Sequence, residues 1–394
     1  MKVLFIVEHD FLRTHVGVRR VITHYIDQVG NAGHEVALSA MVNGQLTSGA
    51  MSWQVAQEQQ PKTFRPHWSS AASARQLTVE SPSDQEKTLT VSWTGQAADP
   101  DQFNLCVITT PWLCAEGLPP IKHSIGIVYD LVPNLLALDC LRFPAHLDIY
   151  RFAHQHDAGF KYYIDHCQQV LCISQSTLND LLKLYPEAKR IPHLFVDIPF
   201  PAKGRLPGAP RTSGSILLVN ALDWRKNFKG IERILTTVAT RRQGLDVNLV
   251  GRERIPMHDV MAFLSSLANK GVEINWFRDA DEAVLLRLYQ TSDMLLFPSL
   301  YEGLGLPILE AQATGLPVIS SDNSSCREIN MNRGLAFEAS DEAGMTEALL
   351  SHVTGQADRP QCLRDAALVD AQLTYLSEAS QGLIRALPGQ GTTH

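Results

Sequence analysis

Short unbroken apolar runs alternate with longer stretches of helical spacing along most of this chain. Lys2-Val3-Leu4-Phe5-Ile6-Val7 is the first such run and reads as a buried strand. Gly17 precedes a helix over roughly 18–31, with Val18, Val21, Ile22, Tyr25, Ile26 and Val29 on one face. Gly33-His34 stops that helix, and Glu35-Val36-Ala37-Leu38 opens the next strand. A strand-helix-strand unit of this kind implies parallel pairing with a right-handed crossover. The rhythm returns at 105–109, 124–129 and 170–174, continuous apolar runs expected of strands buried on both faces. Ser174 or Ser176 can cap a helix through Leu178–Leu184.

Residues 197–214 are rich in proline and glycine, a linker composition. Beyond them a second series predicts strands at 215–219, 247–250, 273–276, 294–297 and 317–319. Helices are expected between them at 228–241, 258–270, 281–291 and 308–314. The pattern predicts an α/β chain of two doubly wound domains facing each other across a cleft, over 1–198 and 199–365. Ligands are expected at the carboxyl ends of the strands. A helical stretch near 363–386, in a terminal segment 366–394, can pack back on the first domain. Residues 43–103 break the rhythm. They are rich in Gln, Ser and Thr, carry Trp53, Trp68 and Trp93, and read as an irregular insertion. Within them Leu89–Trp93 alternates like an antiparallel or edge strand.

A length of 394 residues sets two or three domains, and 45% apolar residues suffice for their cores. The net charge of -7 speaks against nucleic acid as a partner, while leaving room for a local basic patch facing an anionic membrane. The seven cysteines are scattered without a C-x-x-C pair, which makes a reducing cytoplasm the simplest location. The N-terminal apolar run is too short for a signal peptide, and no apolar run of about 18 residues exists to span a bilayer. Membrane association, at the inner face, would therefore be peripheral. The histidines show no metal-ligand spacing. Asp99-Pro100-Asp101 and Asp279-Ala280-Asp281 have the Asp-x-Asp form of some metal sites but stand in turn-like contexts. The chain lacks G-x-S-x-G, Walker A and G-x-G-x-x-G sequences, which argues against a serine hydrolase, a P-loop NTPase and a nicotinamide dehydrogenase.

Candidate chemistry concentrates at Phe297–Glu310. A strand ends at Phe297-Pro298-Ser299, and Gly303, Gly305 and Pro307 make a tight loop into a helix. Pro307 suits the first helical position. The glycines let the backbone N–H groups of Gly303, Leu304, Gly305 and Leu306 approach a ligand closely. A helix start adds unpaired donors and a positive dipole end, suited to phosphate or sugar oxygens. Glu302 precedes the loop and Glu310 lies about one turn inside the helix. Ionised carboxylates only accept hydrogen bonds, and vicinal hydroxyls are good donors for them.

The stretch from Phe297 to Ala311, followed by Gly315-Leu316-Pro317-Val318-Ile319-Ser320-Ser321-Asp322, closely resembles the donor-site signature of retaining GT-B glycosyltransferases of family 4. Ala221-Leu222-Asp223-Trp224-Arg225-Lys226-Asn227 is similar to the family's basic element for the donor diphosphate. Ala221 stands where many members carry a further Arg. Tyr129-Asp130 stands where relatives often have His-Asp, on the acceptor side. Gly17-Val18-Arg19-Arg20 lies at a turn that in the family faces donor phosphates and acceptor; Arg19 and Arg20 meet an anionic acceptor or are plain surface. Glu328 matches the pattern past the Glu-x7-Glu helix and reads as structural. The match is strong over 215–335, moderate over 1–40 and 105–200, and absent over 43–103.

The resemblance implies the GT-B architecture of two Rossmann-like domains. It implies transfer of a sugar from a nucleoside diphosphate sugar to a hydroxyl of a glycan or lipid-linked acceptor, in bacterial polysaccharide or glycoconjugate assembly. The anomeric configuration is retained and neither metal nor other cofactor is required. Arg225 and Lys226 would hold the diphosphate, Glu302 and the Gly303–Leu306 backbone the sugar, and Glu310 the ribose. Asp130 would touch the acceptor, and Gly17 would lie near the donor. Two alternatives remain open: a nucleotide-sugar epimerase or hydrolase of the same fold, and a non-catalytic carbohydrate- or partner-binding domain.

Overall fold

A computed structural model of the chain describes residues 1–13, 16–55, 62–71, 76–79, 87–138, 147–191, 193–195, 212–331 and 335–354. The helix expected at 363–386, the terminal segment 366–394 and most of the linker 197–214 lie outside these residues. Contacts divide the chain into two compact units. One contains Met1–Ala56 and Glu86–Pro199, the other Gln57–Gln85 and Phe200–Gln372.

The chain opens with β1 (Lys2–Val7), α1 (Val16–Asn31), β2 (Glu35–Val42) and β3 (Gln45–Val55). Three short strands follow, β4 (Lys62–Phe64), β5 (Trp68–Ser69) and β6 (Leu77–Val79), then a long β7 (Lys87–Ala97). β8 (Leu105–Ile108), β9 (Ser124–Val128), α2 (Val132–Leu138), α3 (Leu147–His166), β10 (Gln169–Cys172), α4 (Gln175–Leu184) and β11 (His193–Phe195) complete the first half. Among the described residues the first unit's sheet has the order β11-β10-β9-β8-β1-β2-β3-β7. Its pairings are parallel except β2–β3 and β3–β7, so β3 alone runs against the other strands. Ser174 caps α4, its side chain accepting from Thr177 N. Gly17 lies inside the first turn of α1, not before it, because the helix begins at Val16.

The insertion is not irregular over its two arms. β3 and β7 pair antiparallel and extend the parallel sheet, with β7 at its edge. Asn43 and Gly44, both at positive φ (51° and 78°), form the two-residue turn that joins β2 to β3. β3 mixes small and polar residues because much of it is exposed, so no apolar run announces it. The middle of the insertion belongs to the other unit. β5 pairs antiparallel with an edge strand there, and His67 and Ser70 bond the backbone of Trp276 and Ile274. The sequence pattern had assigned this segment to the first domain.

α3, unpredicted, is spaced by His, Asp and Gln rather than by a clean apolar stripe. It packs through Phe160 and Tyr163, both fully buried. Gly159 makes this approach possible: a Cβ there would stand 2.1 Å from the carbonyl oxygen of Pro111.

In the second unit the elements are β12 (Ser215–Val219), α5 (Phe228–Arg241), β13 (Asp246–Val250), α6 (Met257–Ala268), β14 (Glu273–Phe277), α7 (Glu282–Thr291), β15 (Met294–Phe297), α8 (Leu306–Ala313) and β16 (Val318–Ser321). A short α9 (Cys326–Ile329), β17 (Ala336–Phe337) and α10 (Glu342–Val353) follow. Among the described residues the sheet order is β17-β16-β15-β12-β13-β14-β5, parallel apart from β5. Apolar runs of β12, β13, β14 and β15 sit against Phe228, Ile231, Ile234, Leu235, Phe263 and Leu264 in one core. No helix of the described residues is long and apolar enough to cross a membrane.

Candidate active site

In the second unit the chain runs from β12 outward to β13 and β14, then returns to β15 on the opposite side of β12. The order of connection therefore reverses between β12 and β15, which are adjacent in the sheet. Open α/β sheets leave a crevice at such a reversal, beyond the carboxyl ends of the strands. The two sequence motifs occupy the loops that follow these two strands, so topology brings them together.

After β12 the backbone tightens into a 3-10 turn, Trp224–Lys226. Asp223 caps it, accepting from Arg225 N at 2.9 Å, and also holds the Arg225 guanidinium at 3.0 Å. Burial pushes the Asp223 carboxyl up, but the Arg225 guanidinium and backbone N–H and the nearby Lys226 charge outweigh it and leave the carboxyl below its usual range. Asn227 ends the turn at φ 59° and caps α5, accepting from Gly230 N. The turn thereby presents Lys226 inward and Arg225 half-buried.

Lys226 is 8% exposed. Its ammonium stands 2.5 Å from Glu302 Oε1 and 4.4 Å from the centroid of Phe297. Ser299 donates to the same carboxylate oxygen. A buried charge needs a partner and hydrogen bonds to offset desolvation, and this pair has both. The two loops are laced by Leu300 N and Ser299 Oγ, which donate to the Arg225 carbonyl at 2.7 and 3.0 Å. Glu302 is further fixed through its backbone. Its N–H donates to Ser324 Oγ at 3.1 Å, and its carbonyl accepts from Ser325 Oγ at 3.0 Å. Ser324 adopts φ 41°, a strained conformation for a residue with a Cβ. Burial, and then the Glu302 charge, push the adjacent Cys326 thiol up to about 12.

Gly303, Leu304, Gly305 and Leu306 lead from Glu302 into α8. Gly305 sits at φ 90° at the helix N-cap, where a side chain would be strained. The helix begins at Leu306, so Pro307 is its second residue rather than its first. Glu310 is buried, and its Oε2 accepts from the Tyr289 hydroxyl at 2.7 Å. The structure thus unites Lys226, Arg225 and Glu302, and sets Glu310 one helical turn along with Tyr289. Glu328 is exposed in the first turn of α9.

Asp130 and Gly17 belong to the first unit. The Asp130 carboxylate accepts from Val132 N at 2.9 Å and starts α2. Arg19 Nη1 donates to the Leu12 carbonyl at 2.9 Å. Both Asp-x-Asp pairs prove to be caps and surface contacts. Asp99 caps a 3-10 turn, Asp281 caps α7 and Asp279 pairs with Arg252. Among the described residues no cluster of His, Cys, Asp or Glu could hold a metal ion.

Sequence reasoning missed Ser299, Ser324, Ser325, Asp223 and Tyr289 as parts of the site. The first four lay within the quoted motifs but carried no chemistry by themselves. Tyr289 is on α7, and only packing brings it to Glu310.

Three kinds of similarity bear on this arrangement. Residues 213–355 match the family described as Glycosyl transferases group 1. The chain is 29% identical over 146 residues to O-antigen chain mannosyltransferase B of Escherichia coli, a match spanning 36% of either chain. It is 25% identical over 230 residues to alpha-maltose-1-phosphate synthase of Mycobacterium tuberculosis, covering 50% of this chain and 58% of that one. Among solved structures, S. aureus TarM superposes with a TM-score of 0.63 at 8% identity, covering 98% of this chain and 100% of TarM. WaaG, a glycosyltransferase involved in lipopolysaccharide biosynthesis, does so with a TM-score of 0.61 at 16% identity and the same coverage. Residues 213–355 are thus similar to the glycosyl transferases group 1, and the two Rossmann-like α/β units have the GT-B fold of these solved structures.

Proposed function

We propose that the protein transfers a sugar from a nucleoside diphosphate sugar to a hydroxyl of a glycan or lipid-linked acceptor, in the assembly of a polysaccharide. The observation that carries this reading is the buried Lys226–Glu302 pair at the β12/β15 reversal. As the bond from the anomeric carbon to the diphosphate breaks, negative charge gathers on the leaving oxygens. A fixed ammonium and the Arg225 guanidinium there stabilise that charge more in the transition state than in the ground state. The acceptor oxygen bonds the anomeric carbon, and its proton passes to the leaving phosphate. Attack from the face the diphosphate leaves retains the anomeric configuration. Glu302 and the Gly303–Leu306 backbone orient the sugar, and Glu310 takes the ribose hydroxyls in exchange for its bond to Tyr289. Asp130 contacts the acceptor, and Gly17 lies beside the donor. Two cations at the leaving group support a reaction without metal or other cofactor.

The names of the bacterial relatives, an O-antigen mannosyltransferase and a serotype-specific mannosyltransferase, support a mannose-type donor and a surface polysaccharide. We place the reaction in the cytoplasm, at the inner membrane face, as a peripheral activity. The test is incubation with GDP-mannose and UDP-, ADP- and dTDP-sugars, with and without a glycan acceptor, in the presence of a chelator. Acceptor-dependent release of nucleoside diphosphate and an α-linked product from an α-linked donor are expected. Release independent of acceptor, an inverted product, or a strict metal requirement each overturns the corresponding part of the reading.

A further inference from the structure

The two sheets end differently at their outer strands. In the second unit the outer side of β14 is covered by β5, which is only Trp68-Ser69. His67 N and Ser70 N donate to the Trp276 and Ile274 carbonyls at 2.6 and 3.1 Å, and Ser69 Oγ donates to Asn275 Oδ1 at 3.1 Å. A strand that short leaves little backbone for another chain to pair with. In the first unit the last strand is β7, Lys87–Ala97, and among the described residues no strand lies on its outer side. An outer strand carries a row of N–H and C=O groups that template a further strand unless charge, proline or a bulge blunts it.

β7 is blunted at one end only. Its ladder with β3 is regular from Trp93 opposite Gly49 to Lys87 opposite Val55. The register then shifts between Thr47 and Gly49, and Gly95 sits there at φ 75°. That irregularity bends the strand beyond Trp93. Inside the regular run, Thr88-Leu89-Thr90-Val91-Ser92 holds neither charge nor proline, and most of it favours strands. Thr88 and Ser92 are exposed, and Thr90 and Val91 are half-buried. The run is also held from its inner side. Trp93 covers Gly49, where a Cβ would stand 2.7 Å from the indole ring. It stacks on His9 at 5.4 Å, and its Nε1 donates to the His9 carbonyl at 3.0 Å. The Ser52 and Thr90 hydroxyls bond each other at 2.6 Å. A strand already ordered in this way loses little freedom when another is added to it.

We propose that the outer side of β7 pairs antiparallel with the β7 of a second copy of this chain, about a two-fold axis at Thr90. The strand's own sequence identifies the occupant. Residues directly opposite in an antiparallel pair point to the same face. Centred on Thr90, the pairing sets Leu89 against Val91 on one face. It sets Thr88 against Ser92 and Thr90 against itself on the other. Apolar therefore meets apolar and hydroxyl meets hydroxyl, whereas a slip of one residue would cross the faces. No charge is brought to the axis, which matters between two chains of net charge -7. A two-fold contact of this kind is closed, so assembly through it stops at two copies. The paired edge is small beside a standard interface, which makes the association weak and concentration-dependent. It goes beyond the transferase reading and does not depend on it.

The test is sedimentation equilibrium of the full chain over about a hundredfold range of protein concentration. A reversible monomer–dimer equilibrium is expected. Thr90→Lys sets two ammonium groups against each other at the axis and should weaken association about tenfold or more, with circular dichroism showing the fold retained. Thr88→Lys combined with Ser92→Glu sets opposite charges across the axis twice. This double variant should associate at least as tightly as the wild type and loosen in salt. A chain that stays monomeric over the whole range overturns the pairing and leaves the edge to a different partner. Thr90→Lys associating like the wild type, or a double variant associating no better than Thr90→Lys, overturns it as well. Nucleoside diphosphate affinity is expected to be equal in all three proteins, which keeps this result separate from that of the transferase reading.

Discussion

Replacing Lys226 with Met tests the centre of the candidate site. Met keeps much of the side-chain volume and its contact with Phe297, and removes only the charge. The ammonium lies 2.5 Å from Glu302 Oε1, and both side chains are 10% exposed. Breaking a buried pair from one side leaves the other charge without compensation and costs about 3–5 kcal/mol. For a chain unit of this size that corresponds to a fall in melting temperature of about 6–20 °C. Adding Glu302→Gln should recover about 2 kcal/mol of the loss, since the orphaned charge is gone and Ser299 can still bond the amide oxygen. Neither variant should regain nucleotide binding. The assay is thermal and urea denaturation with and without nucleoside diphosphate. At about one hundred times Kd the wild type gains about 2.7 kcal/mol, and both variants should gain far less. A single variant that melts with the wild type, or a double variant as unstable as the single, refutes the ion-pair argument. An undiminished nucleotide shift in Lys226→Met refutes the phosphate assignment.

Three further outcomes follow from neighbouring geometry. Gly159→Ala should destabilise the chain by about 1–3 kcal/mol despite alanine's higher helix propensity, since the added methyl meets the Pro111 carbonyl; calorimetry reads it. Asp223→Ala removes the cap of the Trp224–Lys226 turn and the hold on Arg225. It should cost about 1 kcal/mol of stability and lower turnover more than it weakens nucleotide binding. The Arg278 guanidinium lowers the Glu253 carboxyl from 4.5 to about 2, so this carboxylate contributes stability fully above its ordinary value and loses it as pH falls from there towards about 2. Arg278→Met should thus be less stable than wild type at neutral pH, with the difference fading in acid; a difference that grows in acid contradicts the assignment.

Much of the fold was legible because parallel strands buried on both faces must be continuous apolar runs. β12, β15 and α5 match their sequence-based bounds residue for residue, and other boundaries moved by a few residues as caps took up the ends. The legibility failed where one face meets water. β3 has no apolar run, although the Asn43-Gly44 turn before it was a readable signal. α3 hides its stripe among histidines, and its tight packing on Pro111 is a fact of the opposing surface.

What the sequence determined by itself was the alternation that makes two α/β units and the local chemistry of two loops: a basic pair after one strand, a carboxylate and a glycine-rich helix start after another. Local residues suffice for that, because turn geometry, capping and charge act over a few positions. Only the tertiary structure decided that the two loops meet. They are separated by most of the second unit and become neighbours because β12 and β15 pair across the reversal. It alone set Tyr289 on Glu310, sent the middle of the insertion to the edge of β14, and joined Glu8 to Trp112. Such pairings depend on strand order and packing, which no periodicity within a single segment encodes.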